Sequence, residues 1–173
     1  ITFLFFKMCF SIIMLPLVGS IFSGLFGRVL GRNGSVIISI FCMCLVTFLA
    51  LTMFYQVCST QNLYFIHLGS WIQTNILIVN WGFLFDTITV SMLTMISLVS
   101  TIVHIYASSY MSEDPHLSRF MSYLSLFTFF MFILVTADNF IQLFLGWEGV
   151  GVCSYLLINF WFTRVQANKS ALQ

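Results

Sequence analysis

Five apolar runs divide the chain, at residues 3–26, 36–58, 83–110, 119–136 and 139–162. At about 1.5 Å per residue each is long enough to cross a hydrocarbon core about 30 Å thick or nearly so. None shows the in–out alternation that lipid-facing barrel strands require. The pattern therefore predicts an all-α membrane protein, one unit of five transmembrane helices over residues 1–173. Short polar breaks separate most of the runs: the turn at 27–34 with Arg28 and Arg32, the turn at 111–118 with Asp114-Pro115 as breaker, and Ala137-Asp138-Asn139. The second and third runs are joined by a longer stretch, 59–82, with no Lys, Arg, Asp or Glu. Within it, β-rich segments at 70–73 and 76–79 flank Thr74-Asn75, which predicts a short β-hairpin on the membrane surface. Trp71 and Trp81 suit the interfacial aromatic belt.

Composition agrees with the pattern. Only 6% of the 173 residues are charged and 60% are hydrophobic, against about 25% charged in soluble domains. No basic run exists to hold nucleic acid. The placement of the six basic residues matters more than the net charge of +1. With five crossings, Arg28, Arg32, Arg119, Arg164 and Lys169 all fall on one side, and Lys7 alone falls toward the other. The excess of Lys and Arg marks the inner side, which puts the N-terminus outside and the C-terminus inside. The five cysteines, Cys9, Cys42, Cys44, Cys58 and Cys153, lack metal-ligand spacing and read as small packing residues. No metal site is expected.

Candidate chemistry lies on the third and fifth runs. Glu148 sits deep in the fifth, in Gly146-Trp147-Glu148-Gly149-Val150-Gly151. A charged side chain at the bilayer centre costs about 2.5–3.5 kcal/mol on insertion scales, so such a residue is a functional candidate whose partner has to be sought. On a helical wheel Tyr155 and Asn159 fall within about 20° of Glu148, with Gly151 and Val152 flanking. The three glycines permit close approach of another backbone. On the third run Asp86, Leu93, Ser97, Ser100 and His104 fall within about 40° of one line. The serines fit helix–helix hydrogen bonding; His104 could in addition relay protons. The predicted site is thus Glu148 for proton handling, His104 as a relay, and Tyr155, Asn159, Ser97 and Ser100 as channel-lining support.

The segments Met111-Ser112-Glu113-Asp114-Pro115-His116, Arg119-Phe120-Met121-Ser122-Tyr123 and Val135-Thr136-Ala137-Asp138-Asn139, with Gly146–Gly151 and Phe160-Trp161-Phe162-Thr163-Arg164, closely resemble NADH:ubiquinone oxidoreductase chain 5. That family comprises antiporter-like membrane subunits of respiratory complex I. The resemblance is close from about Trp81 onward and looser before it. It implies inverted five-helix repeats, proton translocation coupled to quinone reduction elsewhere in the complex, and a Glu148 whose partner is a lysine on a later, broken helix. It implies no cofactor on this chain, with NAD, FMN, iron–sulfur clusters and ubiquinone held by other subunits. The expected partners are membrane lipids, other membrane-arm subunits, and a companion chain that supplies helix six onward as the other half of a split chain 5. The expected location is the mitochondrial inner membrane, or a bacterial plasma membrane. Lys169 is no substitute for the lysine: about 20 residues beyond Glu148, it lies roughly 30 Å away. Two other readings are a subunit of a multisubunit cation/proton antiporter and a non-pumping structural remnant within the complex.

Overall fold

The computed structural model describes residues 2–60, 62–75 and 77–172. Its order is α1 (Thr2–Leu25), α2 (Gly27–Thr60), β1 (Tyr64–Gln73), β2 (Ile78–Phe85), α3 (Thr87–Tyr110), α4 (Leu117–Val135), α5 (Phe140–Ile158) and α6 (Val165–Leu172). Five helices, α1 to α5, are long and apolar enough to span a membrane. The strands form a two-stranded antiparallel sheet between the second and third of them. The expected architecture is therefore present, with four shifts in its boundaries.

The second helix takes in the turn expected at 27–34. It breaks at Gly31 (φ 72, ψ −179), in the left-handed region that glycine enters without a Cβ penalty. The hairpin is longer than 70–79, because Tyr64–Ile66 pair with Phe83–Phe85. Those last three residues therefore leave the predicted third helix. Asp86 also leaves it: it is the N-cap of α3. Its Oδ1 accepts the Thr89 N–H at 2.6 Å, while the Asp86 N–H donates to Thr89 Oγ1 at 2.8 Å. This reciprocal capping box satisfies otherwise orphaned donors. The hairpin turn is closed by the Thr74 N–H donating to Leu77 O at 2.9 Å; the expected strand start at Ile76 lies outside the described residues. Finally, α5 stops at Ile158, not near 162, and the polar tail adds the short helix α6.

Helix α4 is the hub, packed against α1, α2, α3 and α5, whereas α5 rests on α4 and touches α6. Cys9, Ile12 and Ile13 of α1, Val46 and Met53 of α2, Phe83 and Phe85 of β2, and Phe132 and Ile133 of α4 make one continuous core. Most Ser and Thr hydroxyls donate back to carbonyls three or four residues earlier, as Ser20, Ser39, Thr47 and Ser97 do. A few reach across helices: Ser122 Oγ donates to Ser20 O at 2.8 Å, and Thr101 Oγ1 to Met43 O at 3.3 Å.

The hairpin is bound to one end of the bundle. The Leu84 N–H donates to Thr136 O at 3.0 Å. Asn139 Nδ2 donates to Asn80 O at 2.7 Å, and the Gly82 N–H donates to Gln142 Oε1 at 3.3 Å. At the opposite end Arg28, Arg32 and Arg119 come together. The alternation of loops inferred from the five crossings is thus reproduced in space.

Asn139 serves twice, since its Oδ1 also accepts the Gln142 N–H as the N-cap of α5. Replacing it with Ala should cost about 1–2 kcal/mol from the cap alone and release the hairpin. Hydrogen exchange at the Leu84 amide should speed up in Asn139→Ala, while amides in the middle of α4 keep their protection.

Candidate functional site

Glu148 lies on the face of α5 turned away from α4. Gly146 and Gly149 set that geometry. A Cβ on Gly146 would stand 2.8 Å from the backbone N and Cα of Leu134, and one on Gly149 would overlap the Phe130 ring. These two glycines let α5 lie close against α4. Counting 100° per residue, Glu148 is then about 130° from the glycine seam. It is exposed, as are Val152 and Tyr155 beside it. Gly151, on the same side, has nothing within 4 Å. The three glycines therefore do two jobs: two seat α5 on α4, and the third keeps the carboxylate's face slender. Among the described residues no side chain pairs with Glu148.

Asn159 departs from the predicted stripe. It is the C-cap of α5, where its N–H donates to Tyr155 O at 2.9 Å. The helix ends there, and its side chain faces a small cavity of about 80 Å³ shared with Arg119 and Tyr123 of α4. Its Oδ1 is buried without a hydrogen-bond partner.

The α3 stripe is buried against α2 and α4, with Ser97 and His104 inaccessible and Ser100 nearly so. His104 Nδ1 lies 2.7 Å from Ser100 O and 3.4 Å from Ser100 Oγ, and Nε2 lies 3.1 Å from Ser125 Oγ on α4. A carbonyl only accepts, so Nδ1 carries a hydrogen, and a neutral ring then presents Nε2 as an acceptor. Ser125 Oγ is also 2.9 Å from Met121 O. One hydroxyl proton cannot serve both. With a neutral imidazole it points to Nε2; with an imidazolium, which donates from both nitrogens, it turns to Met121 O. The structure does not bring His104 to Glu148. One lies buried between α3 and α4, the other is exposed on the far side of α5. An open apolar groove of about 430 Å³, edged by Val99 and Val103 of α3, Phe127 and Met131 of α4 and Leu157 of α5, runs between the two helices.

Two participants were not singled out from the sequence. Ser125 belongs to a Ser122-Ser125-Thr128 series at intervals of three, a polar line on a helix otherwise rich in Phe and Leu, and that spacing was the available signal. Gln142 is fully buried in the first part of α5, with Oε1 held by the Gly82 N–H and Nε2 unpartnered. Nothing short of the hairpin's position would have marked it. The five cysteines form no disulfide; Cys9, Cys42 and Cys153 are buried and Cys44 and Cys58 exposed.

Comparison with known proteins follows the same lines. Residues 71–121 match the family described as NADH-Ubiquinone oxidoreductase (complex I), chain 5 N-terminus, and residues 137–173 match NADH:quinone oxidoreductase/Mrp antiporter, TM. The fold resembles a chain in the structure of the membrane-bound sulfane sulfur reductase (MBS), an archaeal respiratory membrane complex. The TM-score is 0.82 at 17% identity, over 95% of this chain and 32% of that one. The class so defined is that of the antiporter-like membrane subunits. Within it, the chain belongs to the NADH-ubiquinone oxidoreductase chain 5 family. It is 55% identical to the chain 5 of Phytophthora infestans, 54% to that of Marchantia polymorpha and 53% to that of Arabidopsis thaliana, each over 94% of its own length. It spans 24% of each of those relatives.

The division among the glycines can be tested. Gly146→Val forces a side chain into the Leu134 backbone and should cost about 1–3 kcal/mol, the usual range for overpacking. Gly151→Ala meets open space and should leave stability equal or raise it by up to about 1 kcal/mol through helix propensity. Thermal unfolding of the chain in detergent separates the two.

Proposed function

We propose that this chain is the amino-terminal five-helix portion of a proton-translocating membrane subunit of respiratory complex I, with Glu148 as its proton-carrying group. One observation carries the reading: a carboxylate inside the fifth span stands on an open, glycine-thinned face and has no counter-charge among the described residues. Lipid is a poor environment for such a group, so the face calls for protein. The resemblance to chain 5 supplies it: helices beyond these 173 residues, on a continuing or a companion polypeptide, bring a lysine to Glu148. An ammonium drawn close favours the charged carboxylate, and one drawn away favours the protonated acid. Alternation between these states loads and releases a proton. His104 is a second station, since its ring and the Ser125 hydroxyl form a hydrogen-bonded unit that accommodates either charge state. Nicotinamide, flavin, iron–sulfur clusters and quinone belong to other subunits. The membrane is the mitochondrial inner membrane, with the hairpin end of the bundle outside and the arginine end inside, as the distribution of Lys and Arg suggests.

In the assembled complex, Glu148→Gln should reduce protons moved per quinone reduced while the subunit still accumulates at normal levels. Unchanged pumping would leave Glu148 a structural group. His104→Gln keeps a hydrogen-bonding amide but cannot take up a proton, so it should lower pumping if the ring is a station and leave it unaltered if the ring only ties α3 to α4. Cation exchange independent of quinone would instead place the chain with the multisubunit antiporters. Mass spectrometry of the purified complex identifies the polypeptide that carries the later helices.

A further inference from the structure

The end of the bundle opposite the hairpin carries a basic pocket that proton handling does not use. Gly24, Gly27, Arg28 and Arg32 from the junction of α1 and α2 face Pro115, His116, Ser118 and Arg119 from the start of α4, around a cavity of about 470 Å³. Three arginines and a histidine thus line one cavity from two separate turns, with Ser118 among them. Among the described residues no ion pair neutralises the arginines, although the Asp114 carboxylate lies within electrostatic reach of His116 and Arg119. Of the chain's five carboxylates, Asp86 and Asp138 lie at the hairpin end and Glu148 within α5. Asp114 accepts two hydrogen bonds: Oδ1 takes the His116 N–H at 3.0 Å and Oδ2 the Trp161 Nε1–H at 3.0 Å. The His116 N–H bond is the chief cause holding the Asp114 carboxyl below its ordinary range, with His116 and Arg119 as added positive neighbours. Glu113 accompanies Asp114 around a different depression, edged by Tyr110 and Trp161. None of the three arginines is in an ion pair among the described residues. Arg119 is held instead over the Phe160 ring, 5.6 Å from its centroid.

Like charges gathered at one site repel unless an anion joins them, and planar guanidiniums match phosphate oxygens in pairs. The position of the pocket along the helices narrows the choice of anion. It opens where α1 ends and α4 begins, that is, at the ends of two membrane spans, where phospholipid headgroups lie. Basic pockets between membrane helices on the inner side are a recognised setting for anionic headgroups. We propose that Arg28, Arg32 and Arg119, with His116 and Ser118, bind the phosphate of an anionic phospholipid. The acyl chains leave along the exposed apolar side chains of Leu25, Phe26 and Val29 beside the pocket. Bound there, the lipid adds to the direct packing of Gly24 and Gly27 on Ser122 and Ser118 a tie between the basic side chains of the two turns.

The test uses the assembled complex in phosphatidylcholine vesicles doped with a photoreactive analogue of either phosphatidylglycerol or phosphatidylcholine. The expected result is crosslinking by the anionic probe to peptides covering residues 24–32 and 115–119, several-fold above the neutral probe. Arg28→Gln/Arg32→Gln should lower it several-fold, and Arg28→Lys/Arg32→Lys should largely retain it. If the Gln pair fails to accumulate, raising ionic strength on the unmodified complex replaces it, and the same crosslinks should decline. Equal labelling by both probes, or labelling indifferent to the Gln pair or to salt, overturns the proposal. Loss of labelling with millimolar inorganic phosphate at constant ionic strength would assign the pocket to free phosphate and also overturn the lipid reading.

Discussion

A hydrocarbon solvent offers no hydrogen bonds, and nearly every feature of this chain answers to that constraint. Five spans are helical because a helix satisfies its own backbone. The hydroxyls that would be orphaned in lipid bend back to carbonyls of their own helices. The strands, whose outer edge is open, are kept to the end of the bundle and fastened there by Asn139, Gln142 and the Thr136 carbonyl. Among the described residues the groups that escape this rule are few: the buried Gln142 Nε2 and Asn159 Oδ1, which have no hydrogen-bond partner, and the exposed carboxylate of Glu148.

Much of this was legible beforehand. Apolar runs announced the spans, and the β-rich segments on either side of Thr74-Asn75 announced a hairpin. The boundaries were not, and the reasons are local. Phe83, Leu84 and Phe85 are apolar enough to be taken for the start of a span, but they pair with Tyr64, Phe65 and Ile66. Asp86 follows helical spacing yet caps the helix, because its side chain finds the Thr89 N–H. Asn159 follows the spacing of Glu148 and Tyr155, but the helix ends at the preceding residue and its side chain swings toward Arg119. A wheel drawn from sequence assumes the helix continues; caps are where that assumption fails.

The site divides in the same way. Glu148 could be picked out as a candidate from its cost in lipid, and the direction it faces could not. The direction comes from two glycines whose lack of a side chain is used against Leu134 and Phe130, with a third that is used against nothing in the chain. All three look alike in the sequence. Ser125 could not be connected to His104 at all, because the two are 21 residues apart and belong to antiparallel neighbours whose phase relative to each other is fixed only by packing.

The link between His104 and Ser125 has a consequence for what counts as the acidic group there. Because the Ser100 carbonyl fixes the hydrogen on Nδ1, the ring has one tautomer to offer, and any change in its charge occurs at Nε2. The Ser125 hydroxyl must rotate with it, surrendering the ring and taking up the Met121 carbonyl. Ring and hydroxyl are therefore one hydrogen-bonded unit spread over two helices. A charged ring would add a hydrogen bond to the backbone of α4 that a neutral ring lacks, so a proton on a side chain of one helix would be recorded in the main chain of the next.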